Sequence, residues 1–382
     1  MKKLIENEIT LMWKDIEKYF LKLSQLPIVI YPYDRNTTKN LIEELSEKFG
    51  LHVDMIYYHC DDKSEKSEIN GIPVLPLSDL LNSADKNYMY ILGNRQDWQL
   101  DFWCLEWNKI PCENMINLSQ LDFYSMICDN TTTTCGEDAD EISENLNACE
   151  KAYELMSDEK SKKIFLRMLA KRITGCNFYF DVFTTDQYFN RYLIGDLNNE
   201  VFFDVGSYDG ATIKTFIEHC ENYKSIYAFE PDNSAFSRLY RASEDLNNLI
   251  YLNMGLSDTN GEIPFFSEEY CSSHILGASS EVTCGKKCSN ILSIKGDSLN
   301  LSPTFIKMDI EGSEIPALNG LKETIRKLTP KLAICLYHHL SDLWNIPLLI
   351  HNINKDYSFK IAHHSYGVTE TVLYAVIRNG AL

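Results

Sequence analysis

The run Val201-Phe202-Phe203-Asp204-Val205-Gly206-Ser207-Tyr208-Asp209-Gly210-Ala211-Thr212-Ile213 decides the fold. Its first five residues are rich in aromatic and β-branched side chains, the signature of a short buried strand. Two glycines then bracket three polar positions, and a helical pattern begins near Ala211. Strand, tight turn and helix in that order open a parallel α/β sheet. A glycine at such a turn lets the chain bend sharply and lets a ligand lie against bare main chain.

The charge around the turn selects the ligand. A dinucleotide brings a pyrophosphate to the helix N-terminus, which favours G-x-G-x-x-G without acids nearby. Here two carboxylates, Asp204 and Asp209, flank Gly206, Ser207 and Gly210. They repel a pyrophosphate and suit the ammonium and sulfonium of S-adenosylmethionine. Further along, SIYAFE (225–230), LIYLN (249–253), TFIKMD (304–309) and KLAICLY (331–337) read as four more strands, with a crossover helix in 315–328. SFKIAHH (358–364) and TVLYAVI (371–377) predict an antiparallel hairpin closing a mostly parallel, Rossmann-like sheet. Glu230, at the tip of the second strand and followed by Pro231, is placed to accept both ribose hydroxyls. Gly255 and Ser257 follow the third strand at the edge where adenine would lie.

The N-terminal half has the same alternation on a smaller scale. Residues 1–22 predict an amphipathic helix, 26–33 a strand, 36–49 a helix stopped by Gly50, and 51–59 and 87–93 further strands. Pro32-Tyr33-Asp34-Arg35-Asn36 follows the first strand where a dinucleotide site would need glycines. The expected division is a small Rossmann-like α/β domain over 1–125, a helical connector over 126–198, and the main sheet over 199–382. The small domain is expected to dock a protein partner or position a substrate. Within the connector, Lys160, Lys162, Lys163, Arg167, Lys171 and Arg172 read as the wet face of a helix that buries Ile164, Phe165, Met168 and Leu169.

Composition narrows the partners. The 382 residues are 45% hydrophobic and carry a formal net charge of −19, which disfavours nucleic acid and anionic lipid. No apolar stretch approaches the roughly 18 residues of a membrane span, and the N-terminus lacks a signal-peptide core. Twelve cysteines without an export signal predict reduced thiols in a cytoplasmic protein. Cys271, His274, Cys284 and Cys288 approach a zinc spacing but read as an ordinary loop, and no metal is assigned.

FFDVGSYDGATI (202–213), AFEPD (228–232), NMGLSD (253–258) and IKMDIEGSE (306–314) together resemble the FkbM family of S-adenosylmethionine-dependent methyltransferases. LYHHLSDLWNIP (336–347) and HHSYGVTETVLYA (363–375) are similar to that family's later segments, so the resemblance covers about residues 150–380. NGIPVLPLSDL (70–80) resembles small domains attached to some sugar-modifying enzymes. The resemblance implies a class I methyltransferase sheet and O-methylation of a sugar, nucleotide-sugar or polysaccharide precursor, with S-adenosylhomocysteine as product. A secondary metabolite or peptide acceptor, or a non-catalytic scaffold, is the alternative.

Methyl transfer requires the acceptor hydroxyl to be aligned and its proton removed. The candidates are Asp309, Glu311, His338, His339, His364 and Glu370. A neutral His338 imidazole is expected to take the proton while Asp309 orients the acceptor or touches the methionine ammonium. Strand alternation predicts that only one of Tyr337 and His338 faces the pocket. Asp309, Glu311, Glu314 and Lys307 crowd the carboxyl end of the sheet, and Glu314 is expected to start the next helix. Tyr188, Phe189 and Tyr192 either roof the pocket or simply pack.

Overall fold

The computed structural model describes residues 1–34, 37–58, 68–83, 86–93, 104–106, 109–118, 138–176, 179–266, 274–275, 288–367 and 369–377. They cluster into two units, Lys3–Asp140 with Leu169–Asp181, and Glu141–Met168 with Val182–Leu382 joined by Met1–Lys2. The division falls inside the helix Glu159–Thr174.

In the first unit the strands are β1 (Ile28–Tyr31), β2 (Val53–Tyr58), β3 (Glu68–Ile69), β4 (Ile72–Pro76), β5 (Met89–Leu92) and β6 (Met115–Asn117). Their order is β3-β4-β2-β1-β5-β6, parallel throughout except for the β3–β4 hairpin. β1 and β5 are buried at every position, as central parallel strands must be. The helix Lys2–Leu23 adds Met12, Ile16, Phe20 and Leu23 to the core at helical spacing. Gly50 ends the helix Thr38–Phe49 in a left-handed conformation (φ 63°) that caps its last carbonyls, the stop its residue type predicts. The turn after β1 is closed by side chains: Asp34 Oδ1 accepts the Thr37 N–H at 2.8 Å, and Thr38 Oγ1 accepts the Asp34 N–H at 2.9 Å.

The helix Glu159–Thr174 buries Ile164, Phe165, Met168 and Leu169 as expected, but its basic residues are not all wet. Arg167 and Lys171 are fully buried. Lys171 Nζ lies 2.7 Å from Asp181 Oδ1 and over the ring of Tyr179, 4.7 Å from its centroid. Eight consecutive residues, Ile164 to Lys171, are buried, so this part of the helix has no solvent face and its charges must find internal partners.

The second unit holds a seven-stranded sheet of β7 (Val201–Val205), β8 (Ser225–Phe229), β9 (Leu249–Leu252), β14 (Phe305–Met308), β15 (Lys331–Cys335), β16 (Tyr357–His363) and β17 (Thr371–Ile377). The order is β16-β17-β15-β14-β7-β8-β9, with β17 antiparallel to both neighbours and the rest parallel. This is the expected mostly parallel sheet with a terminal hairpin. Phe202, Phe216 and Phe305 stack on one another beside it, with centroids 4.2 and 5.0 Å apart. The long connection before β14 forms a second sheet of β10 (Gly255–Leu256), β11 (Gly261–Phe266), β12 (His274–Ile275) and β13 (Cys288–Ile294), ordered β10-β13-β11-β12. Cys271 and Cys284 of the zinc-like spacing lie outside the described residues. Among the described residues no helix is long and apolar enough to cross a membrane.

Candidate active site

The seven-stranded order reverses between β14 and β7, and ligands of open α/β sheets bind outside the strand ends at such a switch point. The tips of these two strands are Asp309 and Gly206. They meet closely: a Cβ on Gly206 would stand 1.9 Å from the Asp309 carbonyl oxygen. Gly206 has φ +83°, so both its conformation and its neighbour demand glycine.

The turn after β7 is internally satisfied. The Gly206 and Ser207 N–H groups donate to Phe229 O at 3.0 and 3.1 Å, Gly210 N–H to Ser207 O, and Tyr208 N–H to Glu230 Oε2 at 2.9 Å. Asp209 Oδ1 accepts from Ala211 N–H, the first amide of the helix Ala211–His219, whose N-cap is Gly210. Ser207 Oγ donates to Asp204 O at 2.8 Å. With its amides committed in this way, the loop is a poor pyrophosphate cradle. Glu230 is 7% exposed and receives Asp232 N–H on Oε1 at 2.8 Å. Burial pushes its carboxyl up to about 7, against the pull of those two amides. Asn253 Nδ2 donates to Glu230 O at 2.9 Å and ties the third strand tip to the second.

Asp204 does not line the open edge. It is fully buried, and its Oδ1 lies 3.2 Å from Lys307 Nζ, whose ammonium also donates to Gly206 O at 2.7 Å. Burial raises the Asp204 carboxyl and Lys307 opposes it. The acid of the first strand thus anchors the turn through Lys307 on β14, a residue that β7–β14 register places opposite Asp204. Gly255 sits in β10, and Ser257 N–H donates to Ile294 O at 3.1 Å. Ser257 O is pressed against Gly320, where a Cβ would stand 1.9 Å away.

Asp309 is the hub on the other side. Tyr188 Oη donates to its Oδ2 at 2.9 Å and Tyr337 Oη to its Oδ1 at 3.0 Å, while His338 Nε2 lies 3.4 Å from Oδ1. Burial alone would raise its carboxyl, but Lys307, His338 and the two hydroxyls outweigh it and the net shift is downward. Both Tyr337 and His338 reach Asp309, contrary to the alternation argument. β15 ends at Cys335, so the period of two no longer governs those positions.

His338 Nε2 also lies 3.4 Å from Glu311 Oε2, and Nδ1 lies 3.0 Å from Glu314 Oε1. Burial disfavours its charge, yet the contact with Glu314 and the charges of Glu314, Asp309 and Glu311 push it up to about 9. The surrounding carboxylates thus favour a positive charge at this ring, whereas the sequence reading expects a neutral imidazole. Burial likewise pushes Glu311 up to about 7, against the pull of His338. Glu314 does start the helix Glu314–Gly320, but it is also 1% exposed and part of this cluster. Sequence reading gathers Glu314 and Lys307 at this edge but pairs neither with its partner, His338 or Asp204. The visible signal for both was a charged residue inside an otherwise buried pattern.

Of the remaining candidates, Glu370 adds its negative charge to that of Asp309 and Glu311, while His364 is engaged elsewhere. His364 Nδ1 lies 2.7 Å from Thr184 O and Nε2 lies 2.8 Å from Tyr374 Oη, and burial lowers it to about 4. The carbonyl fixes the proton on Nδ1, and the tyrosine occupies the Nε2 lone pair. No nitrogen is left to take a proton from an acceptor. The His339 ring packs against Gly312, and Glu370 accepts from Gln187 Nε2. Of the three upstream aromatics, Tyr188 joins the hub, Phe189 packs among the phenylalanines and Tyr192 is exposed.

Residues 204–361, which hold both tips and all of the hub except Tyr188, match the family model of the Methyltransferase FkbM domain. This part of the chain is an FkbM methyltransferase domain. The hexuronic acid methyltransferase AglP of Haloferax volcanii is 29% identical over 136 residues, covering 34% of this chain and 53% of that protein. The chain thus spans about half the length of the curated relative it matches. The crystal structure of methyltransferase FkbM from Methylobacillus flagellatus KT superposes with a TM-score of 0.55 at 19% identity, over 94% of this chain and 92% of that one. That likeness of fold reaches beyond the FkbM domain into the N-terminal unit.

Proposed function

We propose that the chain is an S-adenosylmethionine-dependent O-methyltransferase acting on a hydroxyl of a sugar, a nucleotide-sugar or a polysaccharide precursor. The observation that carries this reading is the meeting of two tips at the switch point, the Gly206 turn with Glu230 beside it and Asp309 with Glu311 just beyond the end of β14. Bound S-adenosylmethionine supplies an electrophilic methyl group on a sulfonium. Glu230 offers carboxylate lone pairs to ribose hydroxyls, and the committed amides of the turn disfavour a phosphate in the same place. Asp309 and Glu311, with side chains 23% and 35% exposed, are the open carboxylates of the hub and receive the acceptor hydroxyl. There the O–H bond breaks as the O–CH3 bond forms and the S–CH3 bond breaks. The proton goes to a carboxylate of the hub, leaving a methyl ether and S-adenosylhomocysteine. Tyr188, Tyr337 and His338 hold Asp309 in place for this step.

The likeness to a hexuronic acid methyltransferase supports the carbohydrate class, as does a hub built of carboxylates and tyrosine hydroxyls, which suit a polyhydroxylated acceptor. We read the N-terminal unit as a docking module for the acceptor or a protein partner, because its first turn is closed by Asp34, Thr37 and Thr38. The test is direct. S-adenosylhomocysteine should raise the melting temperature by mass action while NAD does not. Labelled S-adenosylmethionine offered with a panel of sugar nucleotides and uronic acid glycosides should give a methylated product by mass spectrometry. A larger shift with NAD, or transfer only to peptides, would sink the reading.

A further inference from the structure

Within the methyl-transfer reading, on which this rests, we propose that Asp309, Glu314 and His338 form a binding site for a hard divalent cation of the Mg2+ or Mn2+ kind, facing the acceptor. One ligand atom from each of the three lies within 4.8 Å of the others. Asp309 and Glu314 are five residues apart, and the chain must double back to bring them together. Glu311 and Gly312, both left-handed at φ 53° and 91°, lie between them in that segment. Left-handed glutamate is uncommon and costs energy that the surrounding structure must hold.

The second observation is an unmet demand inside the cluster. Glu314 is 1% exposed; its Oε1 accepts the Ile310 N–H at 2.9 Å, and its buried Oε2 has no hydrogen-bond partner. Both ring nitrogens of His338 are also buried without an aligned hydrogen bond, although carboxylate oxygens lie 3.0 to 3.4 Å away. Asp309, by contrast, has both oxygens held by tyrosine hydroxyls. A metal-binding carboxylate is itself commonly oriented by hydrogen bonds from a second layer of side chains. Orphaned polar atoms this deeply buried call for a ligand or an ion.

The donor set indicates which ion. Two carboxylates and one imidazole are a hard, mostly oxygen set, and no cysteine belongs to the cluster. Charge agrees: Asp309, Glu311 and Glu314 converge here, while the nearby Lys307 is paired with Asp204. Three protein ligands about a six-coordinate ion leave positions for the acceptor. Two adjacent oxygens of a sugar could occupy them, and the ion would then orient and polarise the hydroxyl to be methylated.

The experiment titrates chelator-stripped full-length protein with Mn2+ and follows the loss of the free-ion electron paramagnetic resonance signal. One Mn2+ per chain should bind, displaced by excess Mg2+. Glu314→Gln keeps the acceptor for Ile310 and should weaken binding at least about tenfold, as should His338→Gln. The S-adenosylhomocysteine melting shift is read on the same samples, so folding and the methyltransferase reading are judged separately. No Mn2+ binding by wild-type protein that still responds to S-adenosylhomocysteine overturns the site. Equal Mn2+ affinity in wild type and both variants overturns it too.

Discussion

The carbonyl oxygen of Asp309 occupies the space that a side chain on Gly206 would need, 1.9 Å from where its Cβ would stand. β7 and β14 run parallel with Val205 opposite Met308, so the residues that follow them must diverge or touch. They touch because Gly206 has no side chain. The turn of one strand and the acidic tip of the next are thereby brought to one point at the reversal of strand order.

Gly206→Ala should therefore be far more harmful than the same change at Gly210. At Gly206 the obstacle is backbone, which cannot swing aside. At Gly210, also left-handed at φ +85°, the nearest atom is Leu239 Cδ1 at 3.1 Å, the end of a flexible side chain. Overpacking plus left-handed strain sets a cost of about 3 kcal/mol or more for Gly206→Ala and about 1–2 kcal/mol for Gly210→Ala. Soluble yield and urea unfolding followed by tryptophan fluorescence would check the ranking; equal loss at the two sites would contradict it.

Glu230→Gln should reduce the melting shift given by S-adenosylhomocysteine, because the amide offers a weaker acceptor to ribose. The same substitution has a pH signature. Burial raises Glu230 to about 7 from an ordinary 4.5, opposed by the amides of Asp232 and Tyr208 and by Lys307, and aided by Asp232. Its contribution to stability is present below pH 4.5 and is lost as pH rises through about 7. Wild type minus Glu230→Gln stability should fall across that window, and a flat difference would show the carboxyl ionised throughout.

Tyr188→Phe and Tyr337→Phe each remove one hydroxyl donor from Asp309. A hydrogen bond to a charged group contributes about 1.5–3 kcal/mol, so each change should lower kcat about 10- to 100-fold. The affinity for S-adenosylhomocysteine should stay near wild type, since neither hydroxyl touches the Gly206 turn. Loss of that affinity with kcat preserved would place the two tyrosines on the cofactor side.

His364 should matter for stability in acid more than for turnover. Burial lowers it to about 4 from 6.5, with Asp186 and the Thr184 carbonyl opposing and Lys160 assisting, and Tyr374 on its second nitrogen. Its contribution is complete above pH 6.5 and is lost as pH falls toward 4. His364→Asn should therefore show a shallower decline in melting temperature between pH 7 and 5. A hundredfold loss of kcat in that variant would restore it as a catalytic residue.

Local pattern was enough for much of this. The five parallel strands, the closing hairpin, the Gly206–Gly210 turn and the Gly50 helix stop follow from residue types within a few positions of one another. Glycine permits a left-handed turn, and an apolar run must be buried wherever the chain takes it. The same holds for Glu230, which is at a strand tip because the strand ends there. What tertiary structure alone decided is which charges face each other. Lys307 turns Asp204 into an internal anchor, and Tyr188 reaches Asp309 from 121 residues away. Glu314 and Glu311 flank His338, and Lys171 is buried against Asp181. Electrostatic partners are set by strand order and by the path of the chain after each strand. Neither is encoded in local spacing, and the protonation of an imidazole depends on every carboxylate the fold brings within a few ångströms of it.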